Sequence, residues 1–123
     1  MWLNELDGIV PSFVGTFMAR TIAVGVGYRR DTGAGEIVAL IEDVLRANAI
    51  DAASVMGIGT ASMKRGDAAV AAAAAHFGVA AHYFETGDAV AEAAALALAG
   101  PGCRLIAAKA KSARVTCALA ALP

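Results

Sequence analysis

Cross-links, aromatic surfaces and surplus charge are all scarce in this chain. Its two cysteines, Cys103 and Cys117, fit neither a disulfide framework nor the paired spacing of a zinc ligand set, so both are expected to be reduced and buried. Aromatic residues make up 6% of the sequence, and ten Lys and Arg stand against eleven Asp and Glu. Without excess positive charge there is no general attraction to nucleic acid or to an anionic membrane, and any charge that binds a partner must be local. Long apolar runs are missing too. The longest stretch without a formal charge, residues 68–84, is mostly alanine and is interrupted by His76, Gly78 and His82, far from the roughly 20 strongly apolar residues of a spanning helix. Glu5 and Asp7 stand where a secretory leader carries basic residues, and Pro11 and Gly15 interrupt the apolar stretch. A cytoplasmic location is expected.

What is abundant is small apolar side chain. Hydrophobic residues reach 59% over 123 residues, which excludes disorder and suits one domain. Much of that fraction is alanine, so the core must rest on Ile, Val, Leu, Phe and Met. Residues 21–27 and 54–60 are short apolar runs laced with glycine and read as covered strands. Between them Ile37, Leu40, Ile41, Val44 and Leu45 recur at helical spacing, with Thr32 or Asp31 available as the cap. An alanine-rich helix aligning Val70, Ala74 and Phe77 stops at Gly78, and residues 79–84 form a third strand. A third helix over residues 88–99 stacks Val90, Ala94 and Leu98 and ends at Gly100-Pro101-Gly102. Residues 104–108 and 114–120 are joined by too few residues for a crossover helix and read as an antiparallel hairpin. The pattern predicts a three-layer α/β/α sandwich over residues 20–123, with a mixed, mostly parallel five-stranded sheet ending in the C-terminal hairpin. Residues 1–19 read as an N-terminal extension.

Ligands of open α/β sheets bind beyond the carboxyl ends of the parallel strands. The residues that fall there are Gly25, Gly27, Tyr28, Arg29 and Arg30 after the first strand, then Thr60, Ser62, Lys64 and Arg65 after the second. Lys109, Lys111 and Ser112 follow the fourth. Six of the ten basic residues lie in these loops, and if the fourth strand runs parallel to the first two, they converge into a basic cleft on a neutral protein. Glycines 25 and 27 would let backbone N–H groups approach an anion, beside the N-terminus of the first helix. The same glycines do not make a dinucleotide fingerprint, because Arg30 stands where the third glycine is needed and no acid ends the second strand. No phosphate-binding P-loop is present. His76 and His82 lack a further ligand at metal spacing, so neither a metal nor a cofactor is expected. No Ser has a histidine base fixed beside it by spacing; Glu36, Glu92 and Ser62, with Asp88, are the remaining catalytic candidates.

Several segments together resemble a known family. Val24-Gly-Val-Gly-Tyr-Arg-Arg30, Gly59-Thr-Ala-Ser-Met-Lys64, Val90-Ala-Glu-Ala-Ala-Ala-Leu96, residues 105–111 and Val115-Thr-Cys-Ala-Leu-Ala120 are similar, in this order, to the CobE family and the C-terminal domain of the cobalamin biosynthesis protein CbiG. The likeness covers residues 20–121. It implies a role in corrin synthesis on the way to vitamin B12. The CbiG proteins open a precorrin δ-lactone with release of acetaldehyde, using a further N-terminal domain outside the part matched here. For a CobE-like chain the resemblance implies binding of a precorrin or corrin intermediate, as a carrier between pathway enzymes; a lactone hydrolase or a docking subunit for those enzymes is the alternative. The many carboxylates of such a ligand suit the basic cleft. Carried over by position, Gly25, Gly27, Arg29, Arg30, Lys64, Glu92, Lys109 and Lys111 are the matches. The family has Cys where this chain has Tyr28, only Asp67 matches its acid after Lys64, and its connection before the third helix is longer than Glu85-Thr86-Gly87.

Overall fold

Two faces of very different bulk give the sheet its layers. A computed structural model of the chain describes residues 20–123; the extension expected over residues 1–19 lies outside them. In chain order the main elements are β1 (Ile22–Tyr28), α1 (Ala34–Ala47), β2 (Val55–Ala61), α2 (Ala68–His76), β3 (Ala81–Phe84), α3 (Val90–Ala99), β4 (Arg104–Lys111) and β5 (Val115–Ala121), with short 3-10 turns at Ala52–Ser54 and Ser62–Lys64. The sheet order is β3-β2-β1-β5-β4. β1 pairs parallel with β2 and β2 with β3, whereas β5 pairs antiparallel with both β1 and β4. Four strands therefore run one way and β5 alone runs the other, so the expected mixed sheet with its C-terminal hairpin is what forms.

Alternation along β1 sends Ile22, Val24 and Val26 to one face, where α1 buries Ile37, Leu40, Ile41, Val44 and Leu45 and α2 buries Val70, Ala73 and Ala74. This large-residue layer holds most of the branched side chains and contributes most of the hydrophobic stabilisation. The buried face of α1 is the one its spacing predicts. Its cap is not: Gly33 occupies the N-cap position with no side-chain hydrogen bond. Thr32 is instead turned inward, and its buried hydroxyl has no partner. Helix α2 has the side-chain cap that α1 lacks, the Asp67 carboxylate accepting from Ala69 N–H at 2.9 Å.

The opposite face is built of almost nothing but Gly and Ala. Ala23, Ala118 and Ala120 of the sheet meet Ala91, Ala95 and Ala99 of α3. The helix sits so close that a Cβ on Gly25 would lie 1.9 Å from the Ala91 carbonyl oxygen and 2.5 Å from Ala95 N. Helix α3 is consequently rotated from the expected Val90, Ala94, Leu98 stripe. It buries Ala91, Ala94, Ala95 and Ala99, because a helix lying this near a sheet has room for methyl groups and not for isobutyl ones.

β4 runs three residues further than the expected 104–108, and it carries two bulges, between Leu105 and Ala107 and between Ala107 and Ala110. Bulges twist an edge strand away from flat pairing and release backbone groups from the ladder. One such group, the Lys109 N–H, donates to Glu92 Oε2 on α3 at 3.1 Å. Both cysteines are free, as expected, but only Cys117 is buried. Cys103 is half-buried because it lies in the turn between α3 and β4, with its thiol 3.7 Å from the Leu96 carbonyl.

Candidate functional site

The hairpin turn places a basic hollow at one corner of the sheet. Ser112 N–H donates to Val115 O at 2.8 Å, closing a tight turn on Ala113 and Arg114, and Arg29 N–H donates to Arg114 O at 3.1 Å. The second bond extends the β1–β5 ladder past the strand ends and sets two guanidinium side chains at one sheet corner. Since β4 runs parallel to β1, Lys109 and Lys111 arrive at the same edge. The result is a pocket of about 290 Å³ whose charged lining is Arg29, Lys109, Lys111 and Arg114 against Asp88. Gly27 and Thr116 also line it, and Val90, at the first turn of α3, closes its other side.

Arg114 is held in place by a 3.1 Å bond from Nη1 to the Asp31 carbonyl and lies 3.9 Å from Glu36 Oε1. Arg29, Lys109 and Lys111 make no ion pair among the described residues. Three cations are thus available to an incoming anion, each charge-assisted contact adding roughly 1.5–3 kcal/mol before ordering costs. The helix end beside them belongs to α3, not to α1 as expected. Ala89 caps α3 without a side-chain hydrogen bond, and Asp88 and Val90 on either side of it line the pocket.

The other candidates divide between packing and a second cluster. Gly27 reaches the pocket, but Gly25 lies beneath α3 and leaves no room for a ligand. Thr60 is fully buried, and its hydroxyl donates to the Val26 carbonyl at 2.8 Å, tying β2 to β1. Arg30 is exposed on the turn before α1, outside the pocket lining. Ser112 lines the pocket. Lys64 lies across β1, its Nζ 4.4 Å from the centroid of the Tyr28 ring, and the Arg65 guanidinium is stacked 5.1 Å from the Tyr83 ring. The Tyr28 hydroxyl is buried without a hydrogen-bond partner. Burial first, and the facing Asp67 carboxylate second, push its pKa well above the usual phenol range.

Of the catalytic candidates, Glu92 is engaged by the β4 bulge and Glu36 faces Arg114. Ser62 donates to Glu85 Oε2 at 2.9 Å. Neither histidine stands near them: His76 is 3.2 Å from Glu42 on α1, and His82 on β3 lies against Gly57. No cluster of three or more metal-ligating side chains occurs among the described residues, and no described helix is long and apolar enough to cross a membrane. Sequence reasoning missed Arg114, Thr116 and Val90. The first two sit in a segment that reads as plain strand, and Val90 was assigned to the buried face of its helix.

Fold and site together define a three-layer α/β domain with a basic pocket at the carboxyl edge of its sheet. The chain belongs to the family described as Cobalamin synthesis G C-terminus, whose model matches residues 22–88, more than half of it. Among solved structures it is similar to CobE, a protein from the cobalamin (vitamin B12) biosynthetic pathway, at 26% identity with a TM-score of 0.76 over 83% of this chain and 93% of that one. It is also similar to the cobalamin biosynthesis protein chiG from Agrobacterium tumefaciens str. C58, at 26% identity and a TM-score of 0.71 over 82% and 98% of the two chains. A cobalamin biosynthesis protein G homolog from Sulfolobus solfataricus shares the fold, at 24% identity and a TM-score of 0.70, over 82% of this chain and 36% of that one. No curated protein matches the chain. These relatives are cobalamin biosynthesis proteins, which supports a role in vitamin B12 biosynthesis for this one.

Proposed function

We propose that the chain binds a precorrin or corrin intermediate through the carboxylates of that ligand and carries it between pathway enzymes without transforming it. The observation that supports this reading is the pocket itself: Arg29, Lys109 and Lys111, without ion-pair partners among the described residues, converge with Arg114 on one hollow of a protein whose net charge is −1. Nothing in the overall charge demands such a concentration, and an anion with several carboxylates is what it best accommodates. Partners other than the ligand would be the enzymes that supply and receive it.

The test is a titration with a corrin polycarboxylate such as hydrogenobyrinic acid, followed by visible absorption, beside the same macrocycle with its carboxylates amidated. The acid should bind and the amide should not. Arg29→Ala together with Lys111→Ala should weaken the acid by about 100-fold, taking roughly 1.4 kcal/mol for each lost contact. Equal binding of acid and amide, or no effect of the double substitution, would remove the pocket as the site. A second reading, lactone hydrolysis, draws on one observation, the Ser62 hydroxyl bonded to Glu85 Oε2. It requires acetaldehyde release from the lactone substrate, lost in Ser62→Ala.

A further inference from the structure

Met63 is the most exposed large hydrophobic side chain among the described residues, at 83%. A single exposed apolar side chain is ordinary on a protein surface; what distinguishes this one is how firmly its neighbours are fixed. It sits in the middle of the 3-10 turn Ser62–Lys64. Ser62 before it is bonded to Glu85, and Lys64 after it is laid over the Tyr28 ring. With both flanking side chains tied down, the turn presents the thioether outward from a held backbone, so ordering it against a ligand costs only its own rotamers.

Met63 also borders a hollow of about 210 Å³, formed with Ser62, Glu85, Thr86 and Gly87. That hollow and the basic pocket share a wall, because Val90 lines both. Neither is large enough alone for a tetrapyrrole, since sites that enclose even drug-sized ligands run to roughly 300–1,000 Å³. From β2, which leads into the Met63 turn, to β4, which carries Lys109, is three strand spacings in the order β2-β1-β5-β4. At about 4.8 Å each that is on the order of 14 Å, comparable to a macrocycle with its shorter arms.

Resting on the binding function proposed above, we infer that the ligand straddles Val90: its carboxylates on one side enter the basic pocket, and its apolar ring face lies on Val90 and Met63. Met63 is then the residue that distinguishes a macrocycle from any other polycarboxylate. Methionine suits the position, because its flexible polarisable side chain follows an irregular, puckered ring face.

The test compares two probes on the whole chain, hydrogenobyrinic acid and benzenehexacarboxylate, the second having the carboxylates without the extended ring. Met63→Ala should weaken the corrin by about tenfold, and Met63→Glu by more, while Met63→Leu keeps most of the affinity. None of the three should change the binding of benzenehexacarboxylate, which Lys109→Ala with Lys111→Ala should weaken. Wild-type protein that binds the corrin with Met63→Ala equally tight would overturn the straddled pose and leave the basic pocket standing. Wild-type protein that binds no corrin would overturn both, through the failure of the carrier function itself. Because Met63 is exposed, its variants should keep the wild-type far-ultraviolet circular dichroism, which separates lost contact from lost fold.

Discussion

Replacing Gly25 by alanine adds one methyl group where the protein has no place for it. The new Cβ would lie 1.9 Å from the Ala91 carbonyl oxygen and 2.5 Å from Ala95 N, and both are helix backbone. A flexible side chain could swing aside, but a hydrogen-bonded helix moves as a body. Restoring an ordinary contact of about 3.4 Å requires α3 to withdraw by about 1.5 Å. Gaps of half to one ångström already forfeit a quarter to a half of each dispersion contact, and the withdrawal would open them along Ala91, Ala94, Ala95 and Ala99 together. The cost should reach the upper end of overpacking, about 3 kcal/mol or more, against a total stability of about 5–15 kcal/mol. For a domain of this size that lowers Tm by about 12–24 °C. Urea unfolding followed by circular dichroism should then rank the glycines by their surroundings. Gly59→Ala, whose Cβ meets Ala94 O and the Phe84 ring at 3.1 Å, should cost less than Gly25→Ala. Gly57→Ala, opposed at 3.2 Å by the exposed His82 side chain, should cost less again. Gly35→Ala, with nothing within 4 Å in the first turn of α1, should stabilise by about 0.5 kcal/mol. A Gly25→Ala protein within about 1 kcal/mol of wild type would refute the close-packing account of the α3 face.

Two buried threonines should respond to valine in opposite directions. Thr60→Val removes the 2.8 Å bond to the Val26 carbonyl and should cost about 1 kcal/mol, whereas Thr32→Val removes a buried hydroxyl with no partner and should be neutral or stabilising by a similar amount; equal signs in chemical denaturation would contradict the assignment. Burial pushes the Cys117 thiol up from 9.0 to about 12, so the folded protein keeps a proton that the unfolded chain releases. Stability should be unaffected by this group below pH 9 and fall as pH rises from 9 toward 12, by up to about 1.4 kcal/mol per pH unit. Cys117→Ala should hold its urea midpoint from pH 9 to 10, where wild type declines; Tyr28, shifted in the same direction, adds its own loss only above 10. In native protein a thiol reagent should label Cys103 and spare Cys117.

The elements that were legible in the sequence are those whose signal is local. The α1 stripe Ile37, Leu40, Ile41, Val44, Leu45 is buried as its spacing demands, and Gly78 and Gly100 end their helices at positive φ. Where the burial pattern depends on the opposing surface, the local signal misleads. Helix α3 is apolar at every position but Glu92, so its own sequence hardly selects a face; the glycines and alanines of β1, β2 and β5 select the small one. The same limit applies to the site. The basic loops could be read from strand ends alone. The division between Gly27 in the pocket and Gly25 under a helix depends on which strand surface α3 covers. Arg114 escaped because a two-residue turn needs no glycine when its position in the fold holds it by long-range bonds to Arg29 and Asp31.

The pocket follows from the placement of one strand. A chain that has built β1, β2 and β3 in parallel has its crossovers committed and its sheet edge at β1 open. Had the next strand paired there in parallel, the edge would have ended on another βα loop. Instead α3 covers the small-residue face, the chain passes to the far edge as β4, and β5 returns between β4 and β1. An antiparallel β5 forces its turn with β4 to lie at the end where β1 finishes. Arg114 and Ser112 in that turn, Lys109 and Lys111 before it and Arg29 after β1 therefore meet without any of them being near another in the unfolded chain except through the hairpin. Two consequences are built into that geometry. The backbones that carry the cations are held by ladder bonds such as Arg29 N–H to Arg114 O, so the fold itself gathers them at one corner. Their mutual repulsion is a standing cost of the fold, offset in part by Asp88 in the pocket lining and by Glu36 beside Arg114.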